Sequence, residues 1–218
     1  MRNWRGAALG VCVLAVAAGG VAVGEEEWKT VATGEIVIRA RPKPEIPSGQ
    51  ELWAEGRMAV GLPFVRAALR DHTQFRRWMP YVTESRILKE DGPHRRWTYT
   101  QLDFPIISNR DYVLRVDEEE GRLEDGTVTF TQRWSAPEPE VMPPERHGVV
   151  RLYHNSGSWV FTPEGEDRVR YVYRFTVEPG GSIPGFLAGM GQKDAVLDTI
   201  HAVEKRARQL AAEQSRAR

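Results

Sequence analysis

The chain holds a single cysteine, Cys12, so neither an internal disulfide framework nor a four-cysteine zinc site can be built. It also lacks a charge excess, with 30 Lys+Arg against 30 Asp+Glu. Sequence-independent nucleic-acid binding needs clustered cations that displace counterions from phosphates, so nucleic acid is not an expected partner. Only five histidines occur, His72, His94, His147, His154 and His201. None stands in a His-x-x-His or His-Glu-x-x-His arrangement, which leaves a zinc site unsupported. There is no Gly-x-Ser-x-Gly elbow. Gly180-Gly181-Ser182 and Gly189-Met190-Gly191 are too short and wrongly placed for a dinucleotide loop. No cofactor, no metal and no catalytic constellation is therefore expected, and no internal repeat is visible.

What remains is the composition of a globular protein. The 218 residues are 41% hydrophobic and 28% charged, which fits one domain, and a disordered chain would be poorer in apolar residues and further from neutrality. The first 24 residues read as a secretory signal peptide. Arg2 and Arg5 precede an uncharged run from Gly6 to Gly24, and small residues at Ala22 and Gly24 precede the acidic triplet Glu25-Glu26-Glu27. The expected location is secreted or periplasmic. The alternative is an uncleaved membrane anchor over residues 6–24, since the run approaches the roughly 17 residues a span needs. Removing 24 of 218 residues leaves 194 and takes away two arginines, so Lys+Arg falls from 30 to 28 against 30 acids. The domain is expected over residues 25–212, with a tail at 213–218.

Periodicity along that domain predicts many strands and one long helix. Trp28–Thr33, Glu35–Arg41 and Gln50–Val60 read as strands. Pro63–Trp78 reads as helix, with Pro63 suited to a first turn and a break at Asp71-His72-Thr73. From Val82 the period is two, clearest at Arg95–Leu102, Asp111–Val116, Thr127–Trp134 and Arg168–Val177, as for antiparallel strands with one buried face. Glu118-Glu119-Glu120 reads as a solvated acidic loop, and Pro137–Pro144 as a long loop. After Gly180-Gly181, apolar residues from Ile183 to Leu210 recur at spacings of three and four, which predicts an amphipathic helix of more than about 20 residues. The fold class expected is α+β, a curved antiparallel sheet gripping a C-terminal helix.

Several strings in order resemble a known family. Asp103-Phe-Pro-Ile-Ile-Ser-Asn-Arg-Asp-Tyr-Val-Leu-Arg-Val116 is similar to the START (steroidogenic acute regulatory protein-related lipid transfer) domains. So, in sequence order, are Arg77-Trp-Met-Pro-Tyr-Val82, Val150–Pro163 and Pro179–Pro184. The resemblance implies the helix-grip fold: about nine strands around the last helix, two short helices after the third strand, and a lipid-sized cavity. It implies a lipid or sterol-like ligand and a transient membrane surface as partners, for a protein expected to be monomeric.

Alternation proposes the cavity wall: Trp97, Tyr99 and Gln101; Tyr112, Leu114 and Val116; Val128, Phe130, Gln132 and Trp134; Leu152 and His154; Tyr171, Tyr173 and Phe175. Phe186 and Met190 of the last helix complete it. Some relatives carry a buried acid–base pair on the inner face. The matching positions here read as Trp97 and Val116, so that pair is expected to be absent. Pro105, Ile106 and Ile107, apolar in a connection where polar residues would be normal, form an expected gate with Leu187. The expected function is to bind a lipid or other apolar small molecule and transfer it between membranes. Two alternatives stand beside it. One is a cyclase- or hydrolase-like enzyme using Tyr99, His154 or Tyr171 in proton transfer, and the other is a ligand-sensing interaction domain.

Overall fold

The computed structural model of the protein describes residues 27–46, 49–104, 107–178 and 185–217, with backbone alone at 177 and 185–192. The expected signal segment, and Pro105 and Ile106 of the expected gate, lie outside the described residues. Ten strands form one sheet: β1 (Lys29–Ala32), β2 (Val37–Pro42), β3 (Gln50–Met58), β4 (Val82–Asp91), β5 (Arg95–Leu102), β6 (Asn109–Arg122), β7 (Val128–Ser135), β8 (Val149–Arg151), β9 (Asn155–Pro163) and β10 (Val169–Val177). Their order is β1-β2-β3-β10-β9-β7-β6-β5-β4. Every neighbour on that path is antiparallel; the short β8 lies off it and pairs with β6 in parallel. This three-residue strand is the difference from the nine expected.

Between β3 and β4 run α1 (Leu62–Arg70), a 3-10 turn (His72–Gln74) and α2 (Phe75–Trp78). Pro63 sits in the first turn of α1, where a missing N–H costs nothing. The break expected at Asp71-His72-Thr73 is this 3-10 turn. The last helix, α3 (Gly185–Arg216), runs 32 residues, so residues 213–216 belong to it and not to a separate tail.

The core lies on one face of the sheet. Val196, Ile200, Val203 and Ala207 recur on one stripe of α3 and are closed against Val65, Ala68 and Leu69 of α1 and against Leu52, Phe130, Phe161 and Tyr171 of the sheet. The Tyr81 hydroxyl, just before β4, donates to Asp198 Oδ2 at 3.1 Å. This bond ties the helix to the segment that leads into β4.

Candidate functional site

Register fixes which side chains share the inner face. Phe130 belongs to the core, and it pairs across β9 with Phe161 and across β6 with Glu120. Counting in twos from there, β6 presents Glu118, Val116, Leu114 and Tyr112, and β7 presents Gln132 and Trp134. On β9 the inward residues are Phe161, Trp159 and Gly157, and on β10 Tyr171, Tyr173 and Phe175. Neighbouring strands thus lay aromatic rings side by side. Trp159 stacks on Tyr173 with centroids 3.8 Å apart and planes 7° apart. Tyr173 meets Phe175 at 4.9 Å and Trp134 at 5.9 Å, and Trp159 meets Phe161 at 5.4 Å. Gly157 makes room for this surface: a Cβ there would lie 2.5 Å from the Trp134 ring and 2.4 Å from the Arg174 carbonyl.

This floor divides in two. Phe130, Trp159, Phe161 and Tyr171 are closed beneath α1 and α3. Tyr112, Trp134, Tyr173 and Phe175 share the same face, yet each keeps accessible surface. Burial nonetheless pushes the Tyr112 and Tyr173 hydroxyls above their ordinary pKa.

Sequence alternation misplaced the β5 row. Arg96 pairs with Val116, Thr98 with Leu114 and Thr100 with Tyr112. The inner face of β5 is therefore Arg96, Thr98, Thr100 and Leu102, while Trp97, Tyr99 and Gln101 point outward. The Trp97 and Tyr99 side chains are buried all the same, because the 136–154 segment covers the outer face. Trp97 Nε1 donates to Glu138 Oε2 at 2.7 Å. The Tyr99 hydroxyl donates to Asp111 Oδ2 at 3.1 Å, and Asp111 accepts two bonds from Arg151, at 2.5 and 3.0 Å. Burial, then the Asp111 charge, pushes the Tyr99 hydroxyl up to about 12.

Two further expectations are corrected. A buried acid–base pair does occupy the inner face, one residue from Trp97 and two from Val116. Arg96 donates to Glu118, whose side chain is wholly enclosed. Arg70 Nε also donates to Glu118, at 2.7 Å, and Gln132 Nε2 donates at 3.2 Å. Burial pulls the Glu118 carboxyl upward, but the bonds and charges of Arg70 and Arg96 outweigh it and its pKa falls. Glu118 is thus an interior residue and not part of a solvated loop. His154 is the second correction. Its side chain is 55% exposed and lies 3.5 Å from Glu178 on the surface, because β8 ends at Arg151 before the chain reaches it.

Of the remaining expected residues, Leu114 is buried on the inner face and Leu152 is buried just beyond β8, where its N–H bonds the Asp111 carbonyl. Phe130 and Tyr171 are core. The Tyr171 hydroxyl points at Gly56, where a Cβ would come within 2.6 Å of it, and it has no hydrogen-bond partner among the described residues. Ile107 is half-buried. Phe186, Leu187 and Met190 fall within α3, and their side chains lie outside the described residues. Sequence reasoning missed Trp159 and Phe161, because Trp159-Val160-Phe161 is a continuous apolar run with no visible period. It also missed His72, a lone histidine whose role needs a long-range neighbour. The His72 ring packs on Phe75 at 4.3 Å, and its Nε2 lies 3.4 Å from the Thr100 hydroxyl. Burial, then the nearby Arg96 charge, pushes its pKa down to about 3. Among the described residues, no group of three His, Cys, Asp or Glu side chains could hold a metal ion.

Comparison with known proteins gives the arrangement its relatives. Residues 65–204 match the model of the family described as polyketide cyclase/dehydrase and lipid transport. An uncharacterised protein of Pseudomonas aeruginosa is 35% identical over 135 residues, 60% of this chain and 63% of that protein; the chain thus spans under two thirds of that relative. A STAR-related lipid transfer protein of Xanthomonas axonopodis superposes with a TM-score of 0.68 at 28% identity, over 83% of this chain and 98% of that one. Human StAR-related lipid transfer protein 5 gives 0.69 at 21% identity, over 84% and 88%. A Streptomyces aromatase/cyclase shares the fold more distantly, with a TM-score of 0.50 at 15% identity over 74% and 94%. With its sheet, its gripped helix and its family match together, the chain belongs to the polyketide cyclase/dehydrase and lipid transport family, with the helix-grip fold of the START domains.

Proposed function

We propose that the protein holds one lipid or sterol-like molecule against the open half of its aromatic floor and carries it between membrane surfaces. The observation that carries this reading is the division of the inner face. Phe130, Trp159, Phe161 and Tyr171 are sealed as core, whereas Tyr112, Trp134, Tyr173 and Phe175 on the same face keep accessible surface. Apolar walls with a few placed polar groups are what a ligand pocket requires. Lipid transfer by structural relatives supports the same reading.

An enzyme on this fold would need an acid or base poised near neutral pH. The groups first proposed for that role are poorly placed: Tyr99 is on the outer face, His154 is on the surface, and the Tyr171 hydroxyl is closed against Gly56. Carriage needs none of them. Ligand enters beside the connection into β6 that carries the half-buried Ile107, and residues 1–24 direct the protein across a membrane into a secreted or periplasmic setting. Transfer of a fluorescent lipid from donor to acceptor vesicles tests the proposal. The rate should rise with protein concentration and drop several-fold in an Ile107→Asp variant. Absence of transfer by the wild-type protein contradicts carriage.

A further inference from the structure

A cleft separate from the aromatic floor opens where the 3-10 turn and α2 face the C-terminal half of α3. Ala202, Lys205, Arg206 and Gln209 recur at spacings of three and four, so they share one stripe of that helix. The stripe runs beside the buried one that carries Val203 and Ala207. Opposite stand Gln74 and Arg77, and Trp78, which packs against the core, completes the wall. The hollow measures about 310 Å³. That is the low end for a ligand site, with room for a polar head group and not for a whole lipid.

Three of its walls are cations. Arg206 is already engaged: Nε and Nη2 each lie 2.8 Å from Asp71 Oδ2, and Nη1 lies 3.6 Å from Glu213. Arg77 and Lys205 are exposed and have no ion pair or hydrogen bond among the described residues. Among those residues no acidic side chain lines the cleft. In a chain of zero formal charge this is a local excess, and a concave site focuses it. We propose that the cleft binds a phosphate group on a small polar head, with Arg77 and Lys205 as its charge partners and the Gln74 and Gln209 amides as neutral donors. A phosphate monoester is close to doubly charged at neutral pH and offers oxygens in several directions, which suits two cations on opposite walls. A carboxylate offers one charge in one plane. Arg206, fixed by its acids, is a positioning residue. A soluble phosphate ester and the head of an anionic membrane lipid present the same chemistry. The site shares no residue with the aromatic floor, so it does not rest on the carrier reading.

Two probes test the site on the purified protein. Calorimetric titration with glycerol 3-phosphate, against glycerol as the uncharged control, reads the soluble source. Flotation with phosphatidylcholine vesicles, with and without phosphatidic acid, reads the membrane source. Wild type should bind glycerol 3-phosphate and not glycerol, or float more with phosphatidic acid than without it. An Arg77→Glu, Lys205→Glu variant should weaken that binding by about tenfold or more, the scale of lost charge-assisted hydrogen bonds. Both side chains are exposed, so its urea midpoint should stay close to wild type. A Lys29→Glu, Arg168→Glu variant changes net charge equally, at exposed positions outside the cleft, and should bind as wild type does. Binding of glycerol 3-phosphate assigns a soluble ester, and a response to phosphatidic acid alone assigns a lipid head; either upholds the site. No phosphate-dependent binding of either probe, undiminished binding in the cleft variant, or an equal loss in the control variant overturns it.

Discussion

The Trp159 indole lies flat on the Tyr173 ring, 3.8 Å between centroids, in directly opposed positions of β9 and β10. One partner is closed into the core and the other keeps accessible surface. The pair is thus the hinge between packing and binding. Cross-strand aromatic contacts of this kind add to the area they bury. Trp159→Ala should lower unfolding free energy by about 3–5 kcal/mol, as for other large-to-small core changes. Tyr173→Phe should leave stability close to wild type. Urea denaturation of both checks the division, and equal losses would contradict it.

Glu118 is the hub of the ionic cluster, and removing its charge leaves Arg70 and Arg96 uncompensated on the inner face. Breaking one side of a buried pair costs more than replacing both sides. Glu118→Gln should therefore destabilise the fold by about 3–5 kcal/mol, while Glu118→Leu combined with Arg96→Met should recover part of that loss. Chemical denaturation of the three proteins measures it.

His72 ties stability to acid. Its folded pKa lies near 3 against an ordinary value of 6.5, so between those limits the unfolded chain binds more protons than the folded one. Stability from this group is complete above pH 6.5 and falls as pH drops toward 3, with a slope approaching about 1.4 kcal/mol per pH unit. Urea midpoints at pH 7, 6, 5 and 4 should decline more steeply in wild type than in His72→Gln. Parallel declines would show that other groups set the acid response.

How much of this was legible in the sequence depended on whether a face was covered once or twice. β10 reads cleanly, because Tyr171, Tyr173 and Phe175 are covered on one face while Arg170 and Arg174 are exposed on the other. The amphipathic stripe of α3 reads for the same reason. On β5 both faces are buried: Thr98 and Thr100 look inward, and Trp97 and Tyr99 lie under the 136–154 segment. Alternation there gives the period but not its sign, and the larger apolar residues were assigned to the wrong side. The Arg96–Glu118 pair was hidden by that same inversion. Glu118 heads an acidic triplet, and only the arginines that α1 and β5 bring to it turn it inward.

The outer network provides a control that leaves the inner face alone. Tyr99→Phe deletes one hydrogen bond to Asp111 and should cost about 1 kcal/mol. Asp111→Asn unpairs the buried Arg151 and should cost about 3 kcal/mol or more. Neither should alter the binding of fluorescent lipid by the native protein at 25 °C. A loss of binding in Tyr99→Phe would return that residue to the ligand wall.

The central claim, one apolar molecule held on the open half of the floor, is tested most directly by the native mass spectrum of the protein purified from a bacterial host. The account predicts a species heavier than the polypeptide by one lipid-sized mass. That mass should be lost on denaturation, and it should be depleted in a Tyr173→Ala, Phe175→Ala variant that still folds. A bare polypeptide mass that persists after incubation with host lipid extract would contradict it.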